Sequence, residues 1–170
     1  DVLLNHSEGN GGGIYLDDCG GLSSAPSVLG FSASLSIANN SAGAEGVTNR
    51  GFGGGIYSLL SATDLAEAST LPFGSWLRGN LGHRGGALYV DSDNSASPFV
   101  SIGNAAFTDN IARDRGGAIY VRNQASVSVF HTRSADCELS GNIAGASRTL
   151  RGCSIFAGNR SLVSASQPGG

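Results

Sequence analysis

Phe107-Thr108-Asp109-Asn110, separated by five residues from Gly116-Gly117-Ala118-Ile119-Tyr120, is the stretch on which the fold turns. Its second half recurs on both sides: Gly11-Gly12-Gly13-Ile14-Tyr15, Gly53-Gly54-Gly55-Ile56-Tyr57, Gly85-Gly86-Ala87-Leu88-Tyr89, and a degraded Gly152-Cys153-Ser154-Ile155-Phe156. These starts lie 42, 32, 31 and 36 residues apart. Its first half, an apolar residue followed two positions later by a residue before Asn, precedes each copy: Val2 to Asn5, Ile37 to Asn40, Leu77 to Asn80 and Leu139 to Asn142, with Phe156 to Asn159 as a further candidate copy. Two elements alternating in one order at this period signal a solenoid, a propeller or an array.

The local pattern selects among these. Ala118-Ile119-Tyr120-Val121 and Ser126-Val127-Ser128-Val129-Phe130 read as short strands, and no window sustains a 3.6-residue period. Residues 61–69 could form one or two helical turns in an insertion, but helical repeats are excluded. Short identical strands stack at the ~4.8 Å strand spacing into parallel sheets that run along an axis. The expected fold is therefore all-β, a right-handed parallel β-helix of about five coils with long loops. Alternation assigns Ile14, Ile56, Leu88, Ile119 and Ile155, with Leu16, Val90 and Val121, to the core. Tyr15, Tyr57, Tyr89, Tyr120 and Phe156 fall on the opposite face as an aromatic ladder. The glycine pair supplies the corner of each coil and its close approach to the next, and the recurring Asn either bonds backbone at the turn or stacks on its copies.

Bulk properties agree. The chain has 170 residues, 27 of them Gly, 40% hydrophobic residues and a net charge of −3, a balance too apolar for disorder and too rich in glycine for ordinary helices. No apolar run is long enough to span a bilayer as a helix. The ten basic residues, all Arg, are scattered singly along the sequence, so nucleic acid is not an expected partner. With neither Met nor Lys, residues 1–170 read as a single segment excerpted or processed from a longer repetitive chain.

The alternation of Gly-Gly-Ala-Ile and Phe-x-x-Asn, matched without change at Phe107 to Asn110 and Gly116 to Ile119, resembles the repeats of the chlamydial polymorphic outer-membrane proteins. The resemblance implies a right-handed β-helix with an extracellular, non-enzymatic, adhesive or structural role. That family's C-terminal membrane barrel has no counterpart in these residues.

A β-helix can also be a pectate-lyase-like or glycosidase-like enzyme, which requires carboxylates projecting from successive coils onto one groove. Six residues past the first Gly of each motif stand Asp17, Leu59, Asp91, Arg122 and Gly158, so no acidic column forms and no catalytic residue is assigned. Asp91-Ser92-Asp93-Asn94 lacks the Gly and distal Glu of a calcium loop and reads as a turn. His6, His83 and His131 occupy different places in the repeat and cannot stack as metal ligands, and Cys19, Cys137 and Cys153 lack zinc spacing. No metal or cofactor is expected. Cys137 and Cys153 sit within one repeat of each other and either form a disulfide or remain free thiols. Asn5, Asn39 and Asn159 begin Asn-x-Ser sequons, acceptors for N-glycosylation if the parent is secreted by a eukaryote.

The expectation is a structural or adhesive module, extracellular or at the cell surface. Its partners would be neighbouring repeats or further copies of the chain, and cell-surface glycans or host proteins. A polysaccharide lyase or glycoside hydrolase, and a glycan-binding module using the aromatic ladder, are the alternatives.

Overall fold

The computed structural model describes residues 1–17, 28–30, 36–44, 50–59, 62–64, 76–92, 99–103, 105–130, 138–145, 155–158 and 162–166. They form five successive rungs of four short strands each. The first rung holds β1 (Val2–Leu3), β2 (His6–Ser7), β3 (Ile14–Asp17) and β4 (Val28–Gly30), and the second β5 (Ser36–Ala38), β6 (Ser41–Ala42), β7 (Ile56–Leu59) and β8 (Ala62–Asp64). In the third are β9 (Trp76–Arg78), β10 (Leu81–Arg84), β11 (Leu88–Asp91) and β12 (Phe99–Gly103). The fourth contributes β13 (Ala106–Thr108), β14 (Ile111–Arg115), β15 (Ile119–Val121) and β16 (Ser126–Phe130). The fifth contributes β17 (Glu138–Ser140), β18 (Ile143–Ala144), β19 (Ile155–Ala157) and β20 (Leu162–Ser166).

Every fourth strand pairs with its counterpart one rung on. The result is four parallel five-stranded sheets, ordered β1-β5-β9-β13-β17, β2-β6-β10-β14-β18, β3-β7-β11-β15-β19 and β4-β8-β12-β16-β20. The register is that of the sequence repeat: Ile14 pairs with Ile56, Ile56 with Leu88, Leu88 with Ile119 and Ile119 with Ile155. One expectation fails here. Phe156 pairs with Tyr120 in the third sheet, so it is the aromatic of the glycine element, and Phe156 to Asn159 is not a further copy of the asparagine element.

The core is a wall of like residues. Ile37, Leu77 and Phe107 stack in the first sheet, Ile56, Leu88 and Ile119 in the third, and Val100 and Val127 in the fourth, all essentially sealed from solvent. Val2, Ile14, Leu16 and Ile155 pack against them at the ends of the column. Each such side chain contributes roughly 1.5–3 kcal/mol when fully buried, and the second, inner position of the third sheet carries Val90 and Val121 as expected, with a buried Ser58 between Leu16 and Val90.

Two corner devices recur along the rungs. Gly11, Gly53, Gly85 and Gly116 all have φ near +60°, a conformation that side chains resist. The glycine that follows is constrained by its neighbour instead: a Cβ on Gly12, Gly54 or Gly86 would strike the carbonyl oxygen of Gly54, Gly86 or Gly117 on the next rung. At the other corner, the residue just before each asparagine takes the left-handed conformation: Leu4, Asn39, Gly79, Asp109 and Gly141 have φ of 58°, 56°, 63°, 56° and 63°.

That turn aims the asparagines along the axis. Asn5 donates its backbone N–H and its Nδ2 to Oδ1 of Asn40, Asn40 does the same to Asn80, Asn80 to Asn110 and Asn110 to Asn142, all at 2.9–3.1 Å. The second Nδ2 hydrogen of Asn40, Asn80, Asn110 and Asn142 goes to the carbonyl oxygens of Val2, Ile37, Leu77 and Phe107, one rung back. Asn40, Asn80 and Asn110 are completely buried with these bonds made. Of the two roles open to the recurring asparagine, both operate together.

Candidate interaction surface

The aromatic ladder forms as rings stacked face to face. Tyr15 lies 5.0 Å from Tyr57, Tyr57 5.4 Å from Tyr89 and Tyr89 5.1 Å from Tyr120, with interplanar angles of 11° or less. Phe156 continues the column in backbone register. Most of this face is not open, however. Phe52 stacks on Tyr89 at 4.8 Å and, with Leu59, covers the rings, so that Tyr57, Tyr89 and Tyr120 are buried. Tyr15, 51% exposed, is the one tyrosine of the ladder whose ring is substantially open to a ligand. Phe52 and Leu59 lie outside the repeated motif, which is why the repeat alone does not show that this face is covered.

Burial fixes the chemistry of the phenols. Desolvation, followed by the nearby Tyr15 and the carboxylates of Asp91 and Asp17, pushes Tyr57 up to about 12. Tyr89 is raised further, first by burial and then by Asp91, to which its hydroxyl donates at 2.9 Å. Tyr15, which donates to Asp17 at 3.0 Å, is raised in the same direction by burial and by that carboxylate. Because these groups hold their protons more tightly folded than unfolded, their contribution to stability is complete below pH 10 and is lost as pH rises toward 12 and beyond. Alkaline unfolding should therefore begin above pH 10. Absorbance of the phenolate followed against circular dichroism should show ionisation of Tyr57 and Tyr89 coinciding with loss of structure; their ionisation near pH 10 with the β-signal intact would contradict the buried stack.

The positions relevant to an enzyme align as the repeat requires. Asp17 pairs with Leu59 and Leu59 with Asp91, and the Arg122 N–H is bound to the Val90 carbonyl of the preceding rung. Asp91 is occupied structurally: its Oδ2 accepts the Tyr89 hydroxyl, and its Oδ1 accepts Ser92 N–H and Asn123 Nδ2 at 2.8 Å. Asp93 and Asn94 lie outside the described residues. His6 stands in register with Ser41 and so with Leu81, two positions from His83, and the two imidazoles do not stack. Among the described residues no cluster of three metal-ligating side chains occurs.

Of the sequon asparagines, Asn5 commits its Nδ2 to the ladder, whereas Asn39 is exposed beside it. Asn159, His131, Cys19, Cys137 and Cys153 lie outside the described residues.

The fourth rung carries both motifs unaltered, with its asparagine in the ladder and its glycine pair at the corner. Residues 104–122, which span it from just before β13 to just after β15, match the Chlamydia polymorphic membrane protein repeat. The fourth rung is similar to one repeat of that family. In structural terms the matched stretch is one ladder asparagine, one corner glycine pair and the three strands around them. The match supports a coarse placement of the chain at the cell surface, as part of a surface or outer-membrane protein. No curated protein and no solved structure matches the chain.

Proposed function

We propose that the chain is a non-enzymatic adhesive or structural module of a cell-surface protein, built as a right-handed parallel β-helix. The match of residues 104–122 to a membrane-protein repeat carries this reading. Right-handedness follows from the near-universal hand of connections between parallel neighbours in one sheet. The inward chemistry of the repeat, aliphatic wall and asparagine ladder alike, is spent on packing, which leaves the outer faces of the rungs and the loops for recognition. A rigid rod of this kind holds such surfaces at a fixed distance and orientation, the property an adhesin needs.

Beads coated with the chain should adhere saturably to cultured epithelial cells and be displaced by the free chain. The same protein should release no reducing ends or unsaturated products from polygalacturonate, alginate or xylan. Turnover of any of these, abolished by Asp91→Asn, would replace this reading with the lyase or hydrolase alternative; absence of both adhesion and turnover would leave the structural role, tested by filament formation in electron micrographs.

A further inference from the structure

Arginines dispersed along the sequence are gathered by coiling. The interval between each ladder asparagine and the following glycine corner holds Arg50 in the second rung, His83 and Arg84 in the third, and Arg113 and Arg115 in the fourth. Arg84 pairs in register with Arg115, and Phe52, beside Arg50, bridges to Arg84. The Arg113 guanidinium reaches back two rungs to the Gly43 carbonyl at 3.5 Å, and His83 N–H bonds the carbonyl of Gly51, next to Arg50. The scatter expected from the sequence therefore does not survive folding, because rungs bring together residues some thirty positions apart.

The charge on this edge is not balanced locally. Asp114 is the one carboxylate within these intervals of β10 and β14, and it is shared by Arg84 at 2.7 Å and Arg115 at 3.6 Å. Three guanidinium groups, those of Arg84, Arg113 and Arg115, thus face one carboxylate on a chain whose net charge is −3, while the interval that holds Arg50 also holds Glu45. His83 registers the resulting field: burial first, and then Arg84, pull its pKa below the usual histidine value, with Arg113 adding to the effect against Asp114. Arg84 is held by Asp114 and by the rings of Phe52 and Tyr120, each 5.7 Å away, while Arg50 and Arg115 project into solvent. Alongside, in register beyond Ser41, runs an apolar rail of Leu81, Ile111 and Ile143, with Ile111 42% exposed.

We propose that this edge binds an anionic polysaccharide, sulfated or uronic, laid along the rungs with its charged groups on Arg50, Arg113 and Arg115 and its sugar rings against Leu81 and Ile111. The proposal rests on the surface-module reading and supplies its ligand. Guanidinium suits sulfate and carboxylate through paired, coplanar hydrogen bonds, and the aliphatic rail suits the apolar faces of sugar rings. Nucleic acid fits the edge less well, since single strands ask for aromatic stacking platforms. The exposed aromatic side chains among the described residues, Tyr15 and Trp76, belong to the third and first sheets and not to this edge.

Binding of the full chain to heparin, to chemically desulfated heparin, to hyaluronate, to duplex DNA and to polyglutamate, measured at low and physiological salt, tests this. Heparin or hyaluronate should bind, more weakly as salt rises. The triple variant Arg50→Gln, Arg113→Gln, Arg115→Gln should lose about tenfold or more in affinity with its circular dichroism unchanged, and Arg78→Gln on the first sheet should lose nothing. Equal losses in the triple variant and in Arg78→Gln, preferential binding of DNA or polyglutamate, or no binding to any glycan would each overturn the proposal. Cell adhesion of the same proteins separates the two readings: adhesion that survives both the triple substitution and enzymatic removal of surface glycans discards this ligand and keeps the adhesive module.

Discussion

Replacing Asn110 by Leu should destabilise the chain by about 4 kcal/mol. Asn110 Oδ1 is the acceptor for both the N–H and the Nδ2 of Asn80, and its own Nδ2 supplies Leu77 O and Asn142 Oδ1. Leucine removes all of these. It leaves Asn80 N–H and one Nδ2 hydrogen of Asn80 buried without their acceptor, and each such group costs about 1–3 kcal/mol. Asp at the same place should be worse near neutral pH, because a carboxylate keeps the acceptor for Asn80 but turns a charge toward Leu77 O and Asn142 Oδ1. Asn5→Leu, at the exposed end of the ladder, should cost no more than about 1 kcal/mol. Urea unfolding followed by circular dichroism compares the three; equal small losses at Asn5 and Asn110 would contradict a continuous buried ladder.

Gly86→Ala should be nearly as damaging, although it adds a single methyl group. That methyl would lie against the Gly117 carbonyl oxygen and 2.7 Å from the carbonyl oxygen of Ile111, both backbone atoms of the next rung that no rotamer change can move aside. Relief requires prising apart two rungs, with about 3 kcal/mol or more as the expected cost. The reverse substitution one position on, Ala87→Gly, should cost only about 1 kcal/mol from chain entropy and a lost methyl contact. Equal, small effects at both positions would show that the corners are not in contact.

Much of this was legible in the sequence because a solenoid stacks equals on equals. The column Ile14, Ile56, Leu88, Ile119 and Ile155 could be written down from the spacing of the glycine pairs, as could the tyrosine column beside it. What was hidden depends on positions the two motifs do not repeat. Phe52 and Leu59 cover the tyrosine face, and each occurs at one rung alone. The small residues Ala42, Gly82, Ala112 and Ala144, two positions past Asn40, Asn80, Asn110 and Asn142, form a second buried column in the second sheet. Their recurrence is visible in the sequence once the asparagines are aligned, and they leave room for the glycine corner that packs over them. The left-handed residue before each asparagine escaped for a different reason: Leu4, Asn39, Gly79, Asp109 and Gly141 share a backbone angle and no side-chain property. The basic edge escaped because charge clustering was judged along the chain, whereas the coil makes neighbours of Arg84 and Arg115.

The stacking of the rungs can be tested most directly by methyl NMR on protein labelled at isoleucine and leucine. Cross-relaxation should link Ile56 to Leu88 and Leu88 to Ile119, each one strand spacing apart, about 4.8 Å, with Ile56 to Ile119 far weaker. Absence of the Leu88 to Ile119 contact, or an Ile56 to Ile119 contact as strong as either, would contradict the stacked solenoid.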